Sequence, residues 1–217
     1  MTKVNLNKYR TFFFDCDGVI LNSNQIKSYA FKKVTAKFGK KKSNQFYEYH
    51  IKNGGVSRNK KFKYFVNDIL NENNDDLIAN LIKEYSKEIY NDLLNCEVAD
   101  CLKELKKKYN SIDWFVLTGG NEIEVKKIFN IKKIIFYKKE HIYGSPKSKY
   151  ENYKELIKKN LIKFPAIFFG DSEYDYKFAI DNKIDFIFIN GWTEVKDWNN
   201  FCKRNNIKSI KAICELI

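Results

Sequence analysis

The sequence contains few of the residues on which several common active sites depend. Only two histidines, His50 and His141, occur in 217 residues, which argues against a triad built on histidine. Five cysteines occur without C-x-x-C spacing and without nearby histidines, so we expect no zinc site and predict reduced, mostly structural thiols. Any catalytic chemistry is therefore predicted to depend on carboxylates.

Long apolar runs and proline-rich segments are also missing. No segment approaches the roughly 18 uninterrupted apolar residues of a membrane span, and the opening MTKVNLNKYR lacks the apolar stretch of a secretory signal. Only two prolines are present, so no proline-rich linker is expected. We expect a cytoplasmic protein without a membrane partner, in which 44% hydrophobic residues suffice for a sizeable core.

The formal net charge is +13, from 40 lysines and arginines against 27 aspartates and glutamates. The lysines are spread in short groups such as KKK at 40–42 and 106–108, which is typical of solvated surfaces. We therefore do not favour nucleic acid as the principal partner, although a non-enzymatic nucleic-acid-binding protein stays open as an alternative. The same positive field would attract a small anionic substrate.

Apolar segments of strand length alternate with amphipathic helical segments. The apolar segments lack polar alternation, as expected of strands covered on both faces; they are 11–14, 114–117, 134–137, 166–169 and 185–189. Apolar residues at three- and four-residue spacing predict helices over 100–109, 121–129, 148–160 and 174–182. This alternation predicts an α/β fold with a doubly wound parallel sheet.

Residues 22–95 interrupt the alternation, because they contain no convincing strand. Their apolar spacing predicts helices over roughly 24–38, 58–71 and 75–94. We therefore predict a helical domain at 22–95 inserted into a core that is formed by 1–21 and 96–217. The double glycine in GGVSR, residues 54–58, is predicted to form a turn between two helices.

Polar residues follow the predicted strands at the edge where parallel sheets bind ligands. In chain order they are Asp15, Asp17, Thr118, Gly119, Lys147, Asp171 and Asp175. The two-residue spacing of extended chain directs Asp15 and Asp17 to the same side, and Gly18 allows a sharp turn after them. A buried carboxylate is costly unless something pairs with it or coordinates it, so this edge is a candidate site.

These segments, in this order, resemble the four motifs of the haloacid dehalogenase (HAD) superfamily, in its phosphatase-like branch. The motifs are DCDGVILNS, the apolar run ending in Thr118, Lys147, and GDSEYD at 170–175. The helical insert falls where that branch carries its cap domain. The resemblance implies a Rossmann-like core with a small α-helical cap, a magnesium ion, and phosphoryl transfer through an aspartyl phosphate.

The resemblance also implies roles for the acidic residues. Asp15 would be the nucleophile, and would bind Mg²⁺ together with the main-chain carbonyl of Asp17 and the carboxylate of Asp171. Asp175 would support the metal site from behind these ligands. Asp17 would give a proton to the leaving alcohol and take one from the attacking water, which requires a raised pKa.

The remaining motifs would bind the substrate. Thr118, the main chain near Gly119, and Lys147 would hold the phosphoryl oxygens. The segment GVSR is similar to that of β-phosphoglucomutase-like caps, so Arg58 is predicted to bind an anion at the far end of the substrate, with Gly55 allowing close approach. The alternative for Arg58 is a surface arginine that begins a basic helix. His50 is expected to be an ordinary solvated residue, and the alternative is a place on the substrate face of the cap.

Asp17 favours phosphatase or phosphomutase activity over dehalogenation, because a leaving alkoxide needs a proton whereas a leaving halide does not. We predict a Mg²⁺-dependent phosphatase of a small phosphorylated metabolite, such as a sugar phosphate, acting as a monomer or small homo-oligomer. The alternatives are a phosphomutase of the β-phosphoglucomutase type and a nucleic-acid 3′-phosphatase.

Overall fold

The computed structural model describes residues 5–134 and 138–217. Within these ranges the strands are β1 Thr11–Phe14, β2 Asp113–Asn121, β3 Ile142–Ser145, β4 Ala166–Gly170, β5 Asp185–Ile189 and β6 Lys208–Ile210. They form one parallel sheet in the order β3-β2-β1-β4-β5-β6. The chain continues from β1 to β2 on one side and places β4 on the other, so the strand order switches direction at β1.

Both faces of the sheet are covered. Phe12 and Phe14 belong to an apolar cluster on one face, whereas Phe13 belongs to a second cluster on the opposite face. All four residues of β1 are buried, which explains why its sequence is continuously apolar. The predicted α/β class with a doubly wound parallel sheet is therefore confirmed.

Over residues 22–95, which follow β1, the chain forms helices instead of strands. The helices are α1 Asn24–Thr35, α2 Lys40–Lys52, α3 Arg58–Tyr64 and α4 Asp75–Asn95, and α3 continues into a π-helical turn at Phe65–Ile69. Aromatic side chains hold them together; the Phe31 ring lies 5.2 Å from that of Phe62 and 4.2 Å from that of Tyr85. Helix α2 was not predicted, because its sequence KKKSNQFYEYHIK buries only Ser43, Phe46 and His50.

The two ends of this helical segment lie side by side. The amide of Asn22 donates to the carbonyl of Glu97 at 3.0 Å, and the amide of Ala99 donates to the carbonyl of Ile20 at 2.8 Å. The segment therefore leaves and rejoins the sheet at one place, next to the end of β1.

The later helices pack on the two faces of the sheet. They are α5 Leu102–Lys108, α6 Glu122–Ile131, α7 Lys149–Lys158, α8 Glu173–Asp181 and α9 Trp198–Arg204. Four of the five predicted strands are confirmed as β1, β2, β4 and β5, whereas most of the predicted strand 134–137 lies outside the described residues. Strands β3 and β6 were not predicted. Strand β3 is a four-residue segment that contains a glycine, and β6 has only three residues, one of them buried.

The prediction that the cysteines are reduced is wrong for two of them. Cys101, before α5, and Cys214, in the C-terminal 3-10 turn, form a disulfide across 113 residues of sequence. Sequence spacing gave no sign of this pair, because it is the fold that brings the two segments together. Among the described residues, no helix has the length and apolar character needed to cross a lipid bilayer.

Candidate active site

Asp15 lies directly after β1 and is only 4% exposed. Its amide donates to the carbonyl of Phe169 in β4, which continues the pairing of the two strands beyond the end of β1. Its Oδ1 accepts a hydrogen bond from the amide of Cys16 at 2.7 Å. Burial raises the pKa of the Asp15 carboxyl to about 7, although the nearby Lys149 ammonium acts in the opposite direction. Asp15 is therefore a buried carboxylate that depends on neighbouring cations.

Lys149, and not Lys147, is the lysine of the site. Its side chain is fully buried, and Nζ lies 3.0 Å from Oδ1 of Asp15 and 2.5 Å from Oδ1 of Asp175. Burial disfavours the ammonium, but these two carboxylates outweigh that effect and raise the pKa of Lys149.

The prediction for Lys147 is corrected for a structural reason. Ser148 is the N-cap of α7 in a capping box with Glu151, so Lys147 precedes the helix and Lys149 is its first residue. The Lys147 side chain is half exposed and pairs with Glu155, further along α7. Lys147 is thereby held on the helix surface, away from Asp15.

Asp171 and Asp175 follow β4 and face Asp15. Oxygen atoms of these three carboxylates lie within 4.8 Å of one another, and all three residues are buried. The Asp175 carboxylate is fixed by the Ser172 hydroxyl at 2.8 Å, and that of Asp171 accepts from the Asn24 side chain at 2.6 Å. Burial, together with the charges of Asp15 and Asp175, raises the pKa of the Asp171 carboxyl well above its usual value.

This carboxylate cluster suits a hard divalent cation. Among the described residues, Lys149 is the one cation within 4.0 Å of these three carboxylates, and it contacts Asp15 and Asp175 only, so the cluster holds an excess of negative charge. Oxygen donors of this kind are the ligands that Mg²⁺ prefers. Gly18 leaves room beside them, since a Cβ at this position, where φ is +76°, would lie 2.1 Å from Oδ2 of Asp171. The predicted metal ligands Asp15, Asp171 and Asp175 are therefore brought together.

The side chain of Asp17 lies apart from that cluster. Its Oδ1 is 2.5 Å from Nζ of Lys27 in α1 and 2.5 Å from the Ser23 hydroxyl. Burial by itself would raise the pKa of Asp17, but Lys27 and Ser23 outweigh it and lower that pKa. The expectation of a raised pKa is therefore not met in this arrangement, in which Asp17 is ionised and paired.

Thr118 and Gly119 lie within β2, at the carboxyl end that faces Asp15. Thr118 is fully buried, and its Oγ1 accepts a hydrogen bond from the amide of Gly120 at 2.9 Å. The Thr118 hydroxyl hydrogen is thus left to donate to another group. A Cβ at Gly119 would lie 2.2 Å from the carbonyl oxygen of Gly55, which shows how closely the α2–α3 loop approaches this strand.

A cavity of about 80 Å³, counted as space for the centres of water molecules, lies between the helical segment and the strand ends. Its acidic wall includes Asp15, Asp17 and Asp171, and its other wall carries basic side chains from α1 and α3, namely Lys27, Arg58 and Lys61. The predicted cap residues Gly55 and Arg58 both line it, next to Gly119. The site is therefore a small chamber with walls of opposite charge.

Arg58 is buried and already paired. Its guanidinium contacts both carboxylate oxygens of Glu124 in α6, at 2.5 and 3.1 Å, and donates to the Ser86 hydroxyl at 2.7 Å. The guanidinium also lies 4.8 Å from the centre of the Tyr85 ring. Arg58 is thus neither a surface residue nor a free anion receptor, because its charge is compensated by Glu124.

A chain of polar groups crosses the wall opposite Asp15. Nζ of Lys61 lies 2.6 Å from Nδ1 of His50, whose Nε2 lies 2.7 Å from Oγ of Ser28, and this hydroxyl donates to Oε2 of Glu194 at 2.5 Å. Since Ser28 donates to Glu194, His50 donates from Nε2 and accepts at Nδ1. Burial holds the pKa of His50 well below its usual value, so its ring is neutral. The expectation of a solvated His50 is wrong, because the residue is only 8% exposed.

Four residues that line the chamber were not predicted from the sequence, and neither was Lys149 behind Asp15; the four are Asn24, Lys27, Lys61 and Glu194. The Ser148-x-x-Glu151 pattern could have located the start of α7 and thus distinguished Lys149 from Lys147. No comparable signal marks Lys27 or Lys61, since the chain contains many lysines at helical spacing.

Comparison with known proteins places this geometry in context. The family model described as a haloacid dehalogenase-like hydrolase matches residues 9–182. No curated protein matches the chain. Because that model spans most of the chain, it shows the family as well as the fold.

Solved structures resemble the chain over nearly its whole length. One is a HAD hydrolase, family IA, variant 3, from Entamoeba histolytica, with a TM-score of 0.74 and 16% identity over 96% of this chain and 95% of that one. Another is a predicted phosphatase from Clostridium acetobutylicum, with a TM-score of 0.72 and 20% identity over 96% of each chain. A provisionally named β-phosphoglucomutase from Bacteroides vulgatus gives 0.70 and 15%, over 94% and 84%. At such identities these likenesses establish the fold alone.

Proposed function

Because the chain belongs to the haloacid dehalogenase-like hydrolases, we propose that it is a Mg²⁺-dependent phosphatase that hydrolyses a small phosphorylated metabolite through an aspartyl phosphate. The observation that carries this proposal is the buried Asp15 carboxylate, 3.0 Å from Lys149 and clustered with Asp171 and Asp175. A carboxylate held this way is positioned to attack, and the Lys149 ammonium, together with a cation bound by the carboxylates, would offset the charge of a phosphomonoester dianion.

Asp15, Asp171 and Asp175, with the main-chain carbonyl of Asp17, would hold the ion. When bound, Mg²⁺ would neutralise charge on the carboxylates and the phosphoryl group. The excess of negative charge in the cluster supports this assignment. The Lys149 ammonium contacts the carboxylates of both Asp15 and Asp175, so it reduces the repulsion between them and orients the attacking carboxylate.

In the first step a carboxylate oxygen of Asp15 forms a bond to phosphorus, and the bond from phosphorus to the substrate alkoxide breaks. The alkoxide takes a proton from Asp17 and leaves as an alcohol. The negative phosphoryl group raises the pKa of Asp17 towards protonation when substrate binds, against the effect of Lys27. Lys27 thus favours the ionised Asp17 that the second step needs.

In the second step Asp17 accepts a proton from a water molecule while the water oxygen bonds to phosphorus. The bond between phosphorus and Asp15 then breaks, which releases inorganic phosphate and restores the carboxylate. Throughout both steps, the Thr118 hydroxyl, the main chain at Gly119 and the Lys149 ammonium would bind the phosphoryl oxygens. The free donor of Thr118 supports its part in this set.

We propose further that residues 22–95 act as a cap domain that covers the site. The α2–α3 loop lies against Gly119, and Arg58 and Lys27 reach from the helices to Glu124 and Asp17. These contacts exclude bulk water from the chamber and limit the size of the alcohol that can be accepted.

A phosphomutase is the second candidate, since one solved structure of similar fold carries the name β-phosphoglucomutase. A phosphomutase must hold a second phosphoryl group at the far end of its substrate. Arg58, the residue predicted for that task, is instead compensated by Glu124, which favours hydrolysis. A nucleic-acid 3′-phosphatase is the third candidate, and a preference for phosphorylated oligonucleotide ends over small phosphomonoesters would favour it.

The test is a screen for phosphate release with sugar phosphates, phosphorylated amino alcohols, nucleotides and bisphosphates, with Mg²⁺ and with chelator. We expect Mg²⁺-dependent release that falls at least 10³-fold in Asp15→Asn, because the nucleophile is lost. The matched control Asp76→Asn makes the same change at an exposed position in the first turn of α4 and should retain activity. Release that persists in Asp15→Asn would show that the nucleophile is assigned wrongly.

A further inference from the structure

The basic wall of the chamber contains one cation that is not compensated directly. Lys27 pairs with Asp17 and Arg58 pairs with Glu124, each at 2.5 Å. Among residues 5–134 and 138–217, no carboxylate oxygen lies within 4.0 Å of the Lys61 ammonium. Lys61 nevertheless lines the chamber and is only 3% exposed. It therefore differs from the other two cations in its charge balance.

The contacts of Lys61 leave part of its donor capacity unused. An ammonium has three N–H donors. One reaches Nδ1 of His50 at 2.6 Å, and a long contact of 3.5 Å joins Nζ to the carbonyl oxygen of His50. His50 orients the ammonium but does not neutralise it, because its ring is neutral and is itself held by Ser28. In the described part of the chain, the third N–H has no hydrogen-bond partner.

The surroundings of Lys61 show what would relieve this imbalance. A buried cation without a counter-ion is destabilising, so an anion that enters the chamber gains from the contact. Burial and the charge of Lys27 lower the pKa of Lys61 to about 7, although Asp17 and Glu194, at the end of the polar chain, oppose that shift. An anion that enters the chamber next to Lys61 would add to the effect of these two carboxylates and favour the charged form. Asp17 is also the residue placed beside the leaving alcohol, so Lys61 faces the part of the substrate that departs.

We propose that Lys61 binds a carboxylate on the alcohol portion of the substrate, which makes the substrate class short phosphomonoesters of hydroxy acids. This inference rests on the proposed function and narrows it. Lys61 offers one or two donors from a single nitrogen, and the chamber is small; both features suit a carboxylate better than a second phosphoryl group. Arg58, whose planar fork would suit phosphate, is already occupied by Glu124.

The test compares esters that match in shape but differ in the distal group. Ethyl phosphate and 2-phosphoglycolate differ only by a methyl in place of a carboxylate, as do propyl phosphate and 3-phosphonooxypropanoate. Ethanolamine phosphate places a cation there instead. We expect the wild-type protein to favour a carboxylate ester over its neutral partner at least tenfold in kcat/KM, and to use the cationic ester least.

Two variants decide whether Lys61 causes the preference. Lys61→Met keeps an unbranched side chain that is one atom shorter but removes its charge, and should reduce the ratio of kcat/KM for the paired esters to within about threefold. Lys63→Met makes the same change at an exposed position of α3 and should keep the wild-type ratio. A wild-type protein without the preference, or a preference that survives in Lys61→Met, would overturn the inference.

The two proposals can fail separately. If no ester releases phosphate, the proposed function fails, and calorimetric binding of two phosphonates then tests Lys61 alone. 3-Phosphonopropanoate should bind the wild-type protein at least tenfold more tightly than propylphosphonate, and this difference should disappear in Lys61→Met. Equal binding of both phosphonates by the wild-type protein would overturn the inference. Hydrolysis of all the esters at equal rates would reject it while leaving the phosphatase proposal intact.

Discussion

Both walls of the chamber combine carboxylates with lysine or arginine side chains, but the two walls differ in how these charges are balanced. On the sheet wall, the carboxylates of Asp15, Asp171 and Asp175 exceed the cations, and Lys149 contacts two of them, Asp15 and Asp175. On the helical wall, Lys27 and Arg58 are each paired with one carboxylate, and the charge of Lys61 is left over. One wall therefore has carboxylates in excess, and the other has an ammonium, that of Lys61, without a direct counter-ion.

The difference shows that two kinds of constraint act on the site. The sheet wall is fixed by topology, since the ends of β1, β2 and β4 must meet where the strand order switches. The charge of the helical wall depends on which of its cations are paired with carboxylates. Replacing one of these pairs would change the ligand that the wall can bind. The predictions below test whether the walls behave in these different ways.

The largest effect is expected for the ammonium of the sheet wall. Lys149→Met removes the cation shared by Asp15 and Asp175, and should lower kcat/KM at least 10²-fold in a steady-state phosphate-release assay. Losing one partner of a buried ion pair also costs roughly 3–5 kcal/mol of stability, so folding must be checked by circular dichroism.

The neighbouring Lys147→Met is the matched control for that experiment. It removes an exposed pair with Glu155, which is worth less than about 1 kcal/mol, and kcat/KM should stay within about twofold of wild type. If Lys147→Met were the inactive variant and Lys149→Met the active one, the family lysine would be the one predicted from the sequence.

A smaller effect is expected for Arg58 on the helical wall. Arg58→Met leaves the Glu124 carboxylate, which is only 13% exposed, without its cation and should lower the free energy of unfolding by roughly 3 kcal/mol. A double-mutant cycle with Glu124→Gln, measured by urea unfolding, should show a coupling energy of about 1–3 kcal/mol.

The same variants separate the roles of Arg58 and Lys61. Arg58→Met should retain the preference for carboxylate esters, because its guanidinium is committed to Glu124. A loss of that preference with unchanged stability would instead support the substrate-binding role that the sequence predicted for Arg58.

The smallest effect concerns the pH dependence of stability. Burial, with the charge of Lys27, lowers the pKa of Lys61 to about 7 from its ordinary 10.5, although Asp17 and Glu194 oppose the shift and the facing His50 is neutral. Between these pH values the unfolded chain binds more protons than the folded protein. Burying the Lys61 ammonium therefore costs less as the pH rises, and the free energy of unfolding increases. Urea unfolding should show the wild type gaining about 1–2 kcal/mol relative to Lys61→Met between pH 7 and pH 9.

Lys63→Met again provides the control, since an exposed lysine on the same helix should produce no such trend. A difference between wild type and Lys61→Met that stays constant over this range would mean that Lys61 is as well compensated as the other two cations.

The sequence predicted the sheet wall better than the helical wall for a physical reason. Strand ends are marked locally by an apolar run followed by polar residues, so Asp15, Thr118 and Asp171 could be found without knowledge of tertiary contacts. The choice between Lys147 and Lys149 depended on where α7 begins, which the capping box of Ser148 marks only once it is recognised.

The helical wall depends on contacts between residues far apart in the chain. Arg58 and Glu124 are separated by 66 residues, and Ser28 and Glu194 by 166. No local pattern distinguishes Lys61 from its exposed neighbours, because they differ only in which face of α3 turns inward. The Cys101–Cys214 disulfide was missed for the same reason.

The contact between Gly55 and Gly119 limits the access of solvent to the site. The loop can rest on β2 only while position 119 lacks a side chain, since a Cβ would come within 2.2 Å of the Gly55 carbonyl. An alanine there would displace the loop and admit more solvent to the Asp15 carboxylate. The lack of a side chain at position 119 thus limits how much water reaches the site, and water is the second substrate of any hydrolase.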